Sequence, residues 1–466
     1  MAGSGPHHLV ALPYPGRGHI NPMMNLSEHL LARAHCPLLI TFVVTEEWLG
    51  LLGPAPVSPR LQGIRFRTIP NVIPSELNRG ADYVGFYEAV YTRMEAPFEE
   101  LLRRIQEEGG APPVEGIISD TELPWAVAVG NRRDIPVYSL STMSATFLSV
   151  VHHFHLIPSG GRLPPLSSSE KWEESLDFIP GITSLKMADI QSVCSLEKPL
   201  KLLLDALSWV NKAQCLLFTS FNELEQQALD ALKASLPIPV YPVGPSIPYM
   251  ALHDKPNVPL NNGHDAIGYH SWLDSQPRSS VLFVSLGSFL SVSSEQMDEI
   301  AWGLRASGAH FLWVARRDPL RMQELGGCMG LVVPWCDQLR VLCHPSIGGF
   351  LTHCGWNSTL EAVFAGVPTL TFPIFWDQPP NSRLMVDDWK MGLSLKGETV
   401  EGGHVSRGEI MKRVKRLMDS EGDERNKLQT RAGELREACN LAIQVGGSST
   451  ISLDAFIAHV VRENKQ

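Results

Sequence analysis

Residues 9–44 read LVALPYPGRGHINPMMNLSEHLLARAHCPLLITFVV and contain two apolar runs separated by a longer amphipathic stretch. The runs at 9–12 and 38–44 have the length and continuous apolar character of buried parallel strands. Between them, apolar side chains recur on one helical face: Met23, Leu26, Leu30 and Leu31. Asn21 is the predicted N-cap of this helix and Pro22 its first residue. The segment therefore predicts a strand–helix–strand unit of a parallel sheet.

The same alternation continues along the chain. Further apolar runs of strand length follow at 114–119, 136–140, 215–219, 281–285, 311–315, 330–333, 347–352 and 369–375. A proline-dense segment without periodicity, at 237–265, divides the runs into two groups. With 466 residues the chain also exceeds the ~250–300 at which a single core stops growing. We therefore predict an α/β protein with two doubly wound parallel-sheet domains.

The composition indicates a folded enzyme, since 44% of the residues are hydrophobic and 19% are charged. The formal net charge of −10, without blocks of like charge, argues against nucleic acid as a partner. The first residues lack the features of a signal peptide, and no window approaches the ~18 uninterrupted apolar residues of a membrane helix. The eight cysteines form no C-x-x-C pair and suit a reducing compartment. These features predict a cytoplasmic protein with no integral membrane segment.

Polar side chains stand at or just after the ends of the predicted strands, where open parallel sheets bind ligands. They are His19, Asp120, Ser288, Trp335, His353 and Asp377. A neutral His19 could accept a proton from a substrate hydroxyl, and the Asp120 carboxylate could orient the ring and stabilise its imidazolium. The alternative for both is structural, because each could equally fill a turn or cap the segment that follows.

The stretch HCGWNSTLEAVFAGVP, residues 353–368, has the composition of an anion-binding helix start. The chain is predicted to turn at Gly355 and to enter a helix capped by Asn357 or Ser358. Backbone N–H groups, hydroxyls and a histidine at a helix N-terminus suit a phosphate. Ser358 and Glu361 also have the spacing of a capping box, which is a purely structural alternative.

Four further side chains have both a chemical and a structural interpretation. Ser288 could donate to the same phosphates or be an ordinary turn serine. Trp335 could stack on a flat base or belong to the core. Asp377 and Gln378 could hold sugar hydroxyls or form a polar turn.

From Trp335 to Gln378 the chain reads WCDQLRVLCHPSIGGFLTHCGWNSTLEAVFAGVPTLTFPIFWDQ, which resembles the plant secondary-product glycosyltransferase signature in length and register. Other matching stretches are PGRGHINPMMNL, SDTELPW, PVGPS, SWLDSQP, VSLGS and GGSS. The chain thus resembles the plant family 1 UDP-glycosyltransferases over nearly its whole length. This resemblance implies the GT-B fold, in which two Rossmann-like domains face a cleft, and an inverting transferase that uses a UDP-sugar.

The resemblance also implies a role for each part of the chain. Residues 1–245 would form an acceptor-binding domain, 246–265 a linker, 266–445 the UDP-sugar-binding domain, and 446–466 a helix that packs back on the first domain. The acceptor would be a small lipophilic plant metabolite with a hydroxyl or carboxyl group. Its pocket would be lined by side chains that equally suit the core: Phe86, Tyr87, Phe147, His152 and Met187.

The resemblance places the nucleotide-sugar contacts in and near the signature: Ser288, Trp335, Cys336, Gln338, His353, Gly355, Trp356, Asn357, Ser358, Glu361, Asp377 and Gln378. In similar enzymes the residue matching Trp335 stacks on uracil, and the one matching Gln338 lies beside the base and ribose. Glu361 matches the residue that holds the ribose hydroxyls. At 336–337 this chain has Cys-Asp where many members have Ala-Pro.

The remaining contacts are divided between the diphosphate and the sugar. Diphosphate contacts match His353, Asn357, Ser358 and Ser288, and Gly355 allows close backbone approach. Sugar contacts match Trp356, Asp377 and Gln378. A glutamine at the last position favours UDP-glucose as the donor. In the implied mechanism His19 is the base, Asp120 stabilises it, and neither a metal nor a cofactor is expected.

Two alternatives remain open. One is an NAD-dependent oxidoreductase that uses Gly16 and Gly18, with Glu46 or Glu47 as the ribose ligand, although it leaves residues 335–378 without a role. The other is a catalytically silent small-molecule-binding protein on the same scaffold, against which the presence of both His19 and Asp120 argues.

Overall fold

The computed structural model describes residues 6–53, 62–109, 111–157, 172–253, 268–287, 292–316, 318–396 and 404–463. The chain divides into two compact units, each built on one parallel sheet. The first unit comprises Met1–Ile182, Lys186–Ile247 and Leu441–Gln466, and the second comprises Thr183–Leu185 and Pro248–Asn440. The first unit is therefore formed from both ends of the chain, and most of the second is inserted between them.

The sheet of the first unit has seven parallel strands in the order β3-β2-β1-β4-β5-β6-β7. The strands are β1 (His7–Leu12), β2 (Leu38–Thr45), β3 (Ile64–Ile69), β4 (Gly116–Asp120), β5 (Val137–Ser141), β6 (Cys215–Phe218) and β7 (Val240–Pro242). The helices are α1 (Arg17–Arg33), α2 (Glu46–Leu52), α3 (Tyr83–Arg93), α4 (Glu95–Glu107), α5 (Pro124–Arg133), α6 (Ala145–His152), α7 (Gln191–Cys194), α8 (Glu197–Val210) and α9 (Gln226–Ser235). Short 3₁₀ turns occur at Glu76–Asn78, Phe154–Leu156 and Met187–Ile190.

The sheet of the second unit has six parallel strands in the order β10-β9-β8-β11-β12-β13. The strands are β8 (Val281–Ser285), β9 (His310–Val314), β10 (Gly330–Val333), β11 (Ile347–Thr352), β12 (Thr369–Thr371) and β13 (Gly392–Ser394). The helices are α10 (Tyr269–Asp274), α11 (Ser294–Ser307), α12 (Pro319–Gly326), α13 (Gln338–Leu342), α14 (Trp356–Ala365), α15 (Gln378–Arg383), α16 (Arg407–Met418) and α17 (Asp423–Ile443), with a 3₁₀ turn at Tyr249–His253 and a π-helical turn at Leu384–Asp388.

Both faces of the first sheet are covered, which explains why its strands are continuous apolar runs. On β1, Val10 and Leu12 belong to one hydrophobic cluster, whereas Leu9 and Ala11 belong to the other. Successive side chains of a strand point to opposite faces, so a strand between two layers of helices needs apolar residues at every position.

The last helix, α18 (Ser448–Glu463), returns to the first unit. Its Phe456 lies in the same cluster as Leu9, and the Phe456 ring meets Tyr138 of β5 edge-on at a centroid distance of 5.2 Å. On the surface, Arg33 of α1 forms an ion pair with Asp454 at 2.6 Å. The C-terminal helix of the chain therefore completes the core of the first unit.

The stretch Asp423–Val461 is long and apolar enough, by length and composition alone, to cross a membrane. It comprises α17 and α18, which are separated by a turn in which Gly446 has a φ of 83°. Core helices of folded proteins meet the same criterion. Because Leu453, Phe456 and Val460 lie in the core of the first unit, this stretch carries no argument for a membrane segment.

The sequence pattern did not predict β3, β7 or β13. All three are edge strands: β3 and β7 close the first sheet, and β13 closes one side of the second. Edge strands need only one strand partner and are commonly short or half exposed. β3 alternates charged and apolar residues, and β7 has three residues within the proline-dense segment 237–265.

Candidate active site

The strand order reverses once in each sheet, between β1 and β4 in the first unit and between β8 and β11 in the second. At such a point the connections leave toward opposite faces, and a crevice opens beyond the carboxyl ends of the strands. His19 follows β1 and Asp120 ends β4, while His353 follows β11. Each unit therefore carries predicted site residues at its own switch point.

His19 lies in the first turn of α1, which begins earlier than the sequence pattern suggested. Gly16 is the N-cap in extended conformation, and Pro22 lies inside the helix. The predicted start, with Asn21 as N-cap, was wrong because the turn at Gly16 already directs the chain into the helix. The backbone N–H groups of His19 and Ile20 both donate to the Gly16 carbonyl. His19 is thus held by a helix rather than by a flexible loop.

The His19 imidazole is fixed through Nδ1. Asp120 Oδ2 and Thr142 Oγ1 each lie 2.8 Å from Nδ1. The other carboxylate oxygen of Asp120 accepts the Glu122 backbone N–H at 3.0 Å. Because a carboxylate at Nδ1 favours the tautomer protonated there, Nε2 is the nitrogen that can accept a proton from a substrate. The Asp120 side chain is fully buried, whereas that of His19 is 20% exposed.

Opposing influences act on the protonation of His19. Burial lowers the pKa of the imidazole, but the Asp120 carboxylate, through its charge and its hydrogen bond, and the Glu122 charge raise it; Arg79 again lowers it. The net result is a pKa above the ordinary histidine value. Such a group is a base above its pKa and becomes protonated as the solution turns acidic.

The loop before α1 does not have the geometry of a dinucleotide-binding loop. A Cβ on Gly16 would collide with Nη1 of Arg79, whereas one on Gly18 would meet nothing within 4 Å. The carboxylate of Glu47 accepts the Ser75 hydroxyl at 2.5 Å and the Glu76 N–H at 3.0 Å, so it is already engaged within the protein. The space at Gly16 therefore accommodates a guanidinium.

In the second unit, α14 starts earlier than predicted, since its N-cap lies two residues before Asn357 and three before Ser358. Gly355 is the N-cap, and among the described residues no side chain caps this helix. Cys354 adopts a left-handed φ of 66°, which turns the chain before Gly355, so Asn357 and Ser358 are the second and third helical residues. The capping-box interpretation of Ser358 and Glu361 was therefore wrong. Uncapped N–H groups at a helix start suit an anion.

His353 occupies the space left by two glycines. A Cβ on either Gly287 or Gly355 would collide with its imidazole, and Gly287 also has a φ of 83°. Burial lowers the pKa of His353 to about 4, with a smaller opposing effect of the Ser285 backbone. The ring is therefore neutral at pH 7 and can meet a phosphate as a hydrogen-bond donor but not as a cation.

Gln338 joins two of the other predicted donor-site residues. Its Nε2 donates to Ser358 Oγ at 2.9 Å and to Glu361 Oε2 at 2.8 Å. Burial raises the pKa of Glu361 to about 7, although the Gln338 hydrogen bond lowers it. Hydroxyl groups of a bound ribose would stabilise the ionised form of this carboxylate, because a carboxylate is an acceptor only.

The turn around Asp377 and Gln378 is tied to the start of α14. Gln378 Oε1 accepts the backbone N–H groups of Ile374 at 2.9 Å and Phe375 at 3.0 Å. Asn381 is fully buried, and its Nδ2 donates to Asp377 Oδ2 at 2.8 Å and to the Cys354 carbonyl at 3.1 Å. One amide group therefore links the predicted sugar contacts to the predicted diphosphate contacts.

The remaining predicted donor residues differ in exposure. Trp335 is 37% exposed between β10 and α13, which fits a stacking surface better than the core alternative. Cys336 and Trp356 are buried, so Trp356, at the first position of α14, can offer a ligand its backbone N–H more readily than its ring. Burial also raises the pKa of the Cys336 thiol. Ser288 lies outside the described residues.

Most of the predicted acceptor-pocket residues are buried. Phe86 and Tyr87 lie on α3 in the hydrophobic core, where both rings neighbour Tyr14, whose own ring lies 4.8 Å from that of His19. Phe147 and Met187 are 0% and 6% exposed, and only His152 is partly exposed. Tyr14, Phe86 and Tyr87 thus form a cluster of aromatic rings next to His19.

Sequence reasoning missed Thr142 and Asn381. Thr142 stands just beyond β5, so the strand-end argument used for Asp120 would have found it. Asn381 lies four residues after Asp377, which is the spacing of side chains on one helical face. Among the residues that the structure describes, no group of His, Cys, Asp and Glu is arranged as a metal site.

The chain is similar to known proteins in both sequence and structure. The family model described as UDP-glucoronosyl and UDP-glucosyl transferase matches residues 237–428. The chain is 47% identical to UDP-glycosyltransferase 87A2 of Arabidopsis thaliana, over 98% of this chain and 97% of that protein. It is similar in structure to Medicago truncatula UGT71G1 complexed with UDP-glucose (TM-score 0.79, 28% identity, 98% of each chain). It is also similar to a Polygonum tinctorium UDP-glucosyltransferase capable of glucosylating indoxyl, in complex with 3,4-dichloroaniline (TM-score 0.82, 28% identity, 98% and 99% of the two chains).

Proposed function

Because the chain belongs to the UDP-glucoronosyl and UDP-glucosyl transferase family and is a UDP-glycosyltransferase of the GT-B fold, we propose that it transfers glucose from UDP-glucose. The glucose is transferred with inversion to a hydroxyl or carboxyl group of a small lipophilic plant metabolite. The observation that carries the transfer step is the 2.8 Å contact between His19 Nδ1 and the buried Asp120 carboxylate. The choice of glucose is supported by the UDP-glucose complex of the Medicago relative and by Gln378 at the end of the signature.

In the proposed reaction, His19 Nε2 removes the proton from the acceptor oxygen. The oxygen then attacks the anomeric carbon of glucose, the bond from that carbon to the diphosphate oxygen breaks, and UDP leaves. Asp120 stabilises the imidazolium that forms. A single displacement of this kind converts the α-linked donor into a β-glycoside.

The charge on the departing diphosphate would be met within the second unit. The uncapped start of α14 offers backbone N–H groups, and neutral His353 offers a hydrogen bond. We therefore propose that transfer needs no metal ion. Turnover that is abolished by a chelator and restored by Mn²⁺ would overturn this part of the proposal.

A lipophilic acceptor suits the aromatic surroundings of His19, and the structure of the Polygonum relative is a complex with 3,4-dichloroaniline, an aromatic amine. We also propose that the protein works in the cytoplasm, since all eight cysteines are free thiols. The oxidoreductase alternative is disfavoured, because Arg79 occupies the space at Gly16 and the Glu47 carboxylate is engaged by Ser75 and Glu76.

The decisive experiment is product mass spectrometry after incubation with UDP-glucose and a panel of phenolic, terpenoid and carboxylic acceptors. A hexose increment on one acceptor class, absent with His19→Ala, supports the class, the donor and the base together. Parallel incubations with UDP-galactose and UDP-glucuronic acid test the sugar. Binding of UDP-glucose without product on any acceptor would refute the acceptor proposal, and transfer from another UDP-sugar in preference would refute the choice of glucose.

A further inference from the structure

A buried arginine lies beside His19 and has no part in the proposed transfer itself. Arg79 follows the 3₁₀ turn Glu76–Asn78 and is 6% exposed. Its guanidinium forms an ion pair with Glu76 at 3.2 Å and lies over the Phe86 ring at 5.7 Å from the centroid. Charged side chains are rarely buried to this extent unless they are paired and serve a defined purpose.

The guanidinium is placed by the same backbone turn that places His19. A Cβ on Gly16 would collide with Arg79 Nη1 and would lie 3.5 Å from His19 Cδ2. The cation and the imidazole therefore lie against one face of the residue that caps α1. Asp120 binds the ring at Nδ1, whereas the Gly16 side of the ring is its Cδ2 atom.

The turn that carries Arg79 is itself held in place. Glu47, at the start of α2, accepts the Ser75 hydroxyl and the Glu76 N–H, and its own N–H donates to Asn71 Oδ1 at 2.8 Å. The segment from Asn71 to Arg79 is thus fixed to the end of β2. This anchorage gives the guanidinium a defined position relative to His19.

The titratable and charged groups nearest His19 are Tyr14 after β1, Glu76 and Arg79 in and just after the 3₁₀ turn, Asp120 at the end of β4 and Glu122 beyond it. Arg17 of α1 and Glu47 of α2 act on Glu76, and Tyr87 of α3 lies beside Tyr14. Asp120 and Glu122 favour the protonated imidazole, and Arg79 opposes them. Burial also lowers the pKa of His19, and the Arg79 cation further limits the rise that the two carboxylates produce.

We propose that Arg79 is a positioning residue for His19, whose fixed positive charge, held in the space that Gly16 leaves, opposes the two carboxylates and favours the neutral imidazole. This inference rests on the proposed role of His19 as the base. It explains why the residue at 16 is a glycine, whereas position 18 has no comparable steric requirement. The proposal concerns the protonation of His19 and does not require Arg79 to touch a substrate.

The test must separate Arg79 from its partner Glu76, because burial raises the pKa of Glu76 to about 7 and its charge interacts with that of His19. We therefore choose Glu76→Gln as the parent and compare Arg79→Met with Arg79→Lys in that background. Histidine labelled with ¹⁵N, with the His19 signal assigned by its loss in His19→Gln, gives the titration directly by NMR. We expect the methionine variant to titrate about one pH unit higher than the parent, and the lysine variant close to the parent.

A second pair of variants leaves all charges in the protein. Gly16→Ala should displace the guanidinium and move the His19 titration upward, whereas Gly18→Ala should leave it unchanged. The acid limb of kcat/KM should move in the same direction and by a similar amount. If His19 titrates at the same pH in Arg79→Met and Arg79→Lys, the inference is wrong. If the NMR shift is found but His19→Ala retains turnover, Arg79 still controls His19, and it is the proposed role of His19 as the base that fails.

Discussion

His19 and Glu361 must be in particular protonation states for the proposed reaction. His19 has to be neutral to accept the acceptor proton, and Glu361 has to be ionised to accept hydrogen bonds from ribose hydroxyls. The pKa of His19 lies above its ordinary value because the Asp120 and Glu122 carboxylates outweigh burial, and burial raises that of Glu361 to about 7. Both groups therefore lose their working form as the pH falls, and activity should decline on the acid side.

His19→Ala should lower kcat by about 10²–10⁴-fold, the usual contribution of a general base. UDP-glucose affinity, measured by calorimetry, should change little, because His19 belongs to the first unit and the predicted donor residues to the second. Near wild-type turnover in His19→Ala would contradict the assignment.

Asp120→Asn should move the acid limb of kcat/KM to lower pH, since the Asp120 charge raises the pKa of His19.

Glu361 offers a separate pH test that involves no chemistry. UDP should bind more weakly as the pH falls below about 7, because the carboxyl group becomes protonated. Glu361→Gln should bind UDP weakly at every pH and should remove this dependence, while His19→Ala should retain it. A pH-independent UDP affinity in the wild type would show that the carboxylate does not bind the ribose.

The strand-end argument identified His19 and Asp120 because each follows an apolar run that is visible in the sequence. Arg79 could not be found in this way, since its position beside Gly16 depends on how the segment after β3 folds back toward α1. Asn381 was missed for a similar reason: its two acceptors belong to different turns, which only the folded sheet brings together. Sequence thus predicted the residues proposed to act on the substrate better than the residues that hold them.

Two helices of the second unit, α14 and α15, begin at turns that depend on left-handed residues. Cys354, with a φ of 66°, precedes the N-cap of α14, and Trp376, with a φ of 62°, precedes that of α15. Non-glycine residues adopt this conformation uncommonly, so the surrounding contacts must stabilise it. The Asn381 amide, which binds the Cys354 carbonyl and the Asp377 carboxylate, supplies such contacts to both turns.

Asn381→Ala should raise the KM for UDP-glucose while having less effect on the KM for the acceptor. It leaves the Cys354 carbonyl without its side-chain donor, which costs about 1–3 kcal/mol of stability. Asn381→Asp should be worse, because a carboxylate cannot donate and would lie beside Asp377. Steady-state kinetics with each substrate varied in turn distinguishes these outcomes, and equal effects on both KM values would argue for a general loss of structure.

The apolar runs predicted the central strands of both sheets because buried strands must be hydrophobic on both faces. The apolar-run pattern did not predict the edge strands β3, β7 and β13, because an edge strand can leave one edge or face exposed to solvent and need not be apolar throughout. The start of α1 was misplaced because proline usually marks a first turn, whereas Pro22 lies deeper in this helix. The periodicity of the sequence therefore predicted layers and central strands but not the ends of elements.

The path of the chain through the whole molecule makes the first unit depend on its last helix. Phe456 of α18 is fully buried in the cluster that also contains Leu9 of β1. Deleting a buried phenylalanine side chain costs about 3–5 kcal/mol. Ile451 of the same helix is 59% exposed and provides a matched control.

Phe456→Ala should lower the free energy of unfolding of the first unit, measured by hydrogen exchange in β1 and β5. Ile451→Ala should change this free energy by less than about 0.5 kcal/mol. Exchange in β8 and β11 of the second unit should respond less. Equal destabilisation by the two variants would indicate that α18 is not part of the core of the first unit.

The return of α18 also imposes an order on biosynthesis. A ribosome that has finished β7 must still make roughly two hundred residues before α18 emerges, which takes about 10–40 s at ~5–20 residues per second. Throughout that interval the apolar surface that Phe456 later covers is open to water, to chaperones and to other nascent chains. Co-translational folding can therefore complete the second unit before the first, although the first begins to be synthesised earlier.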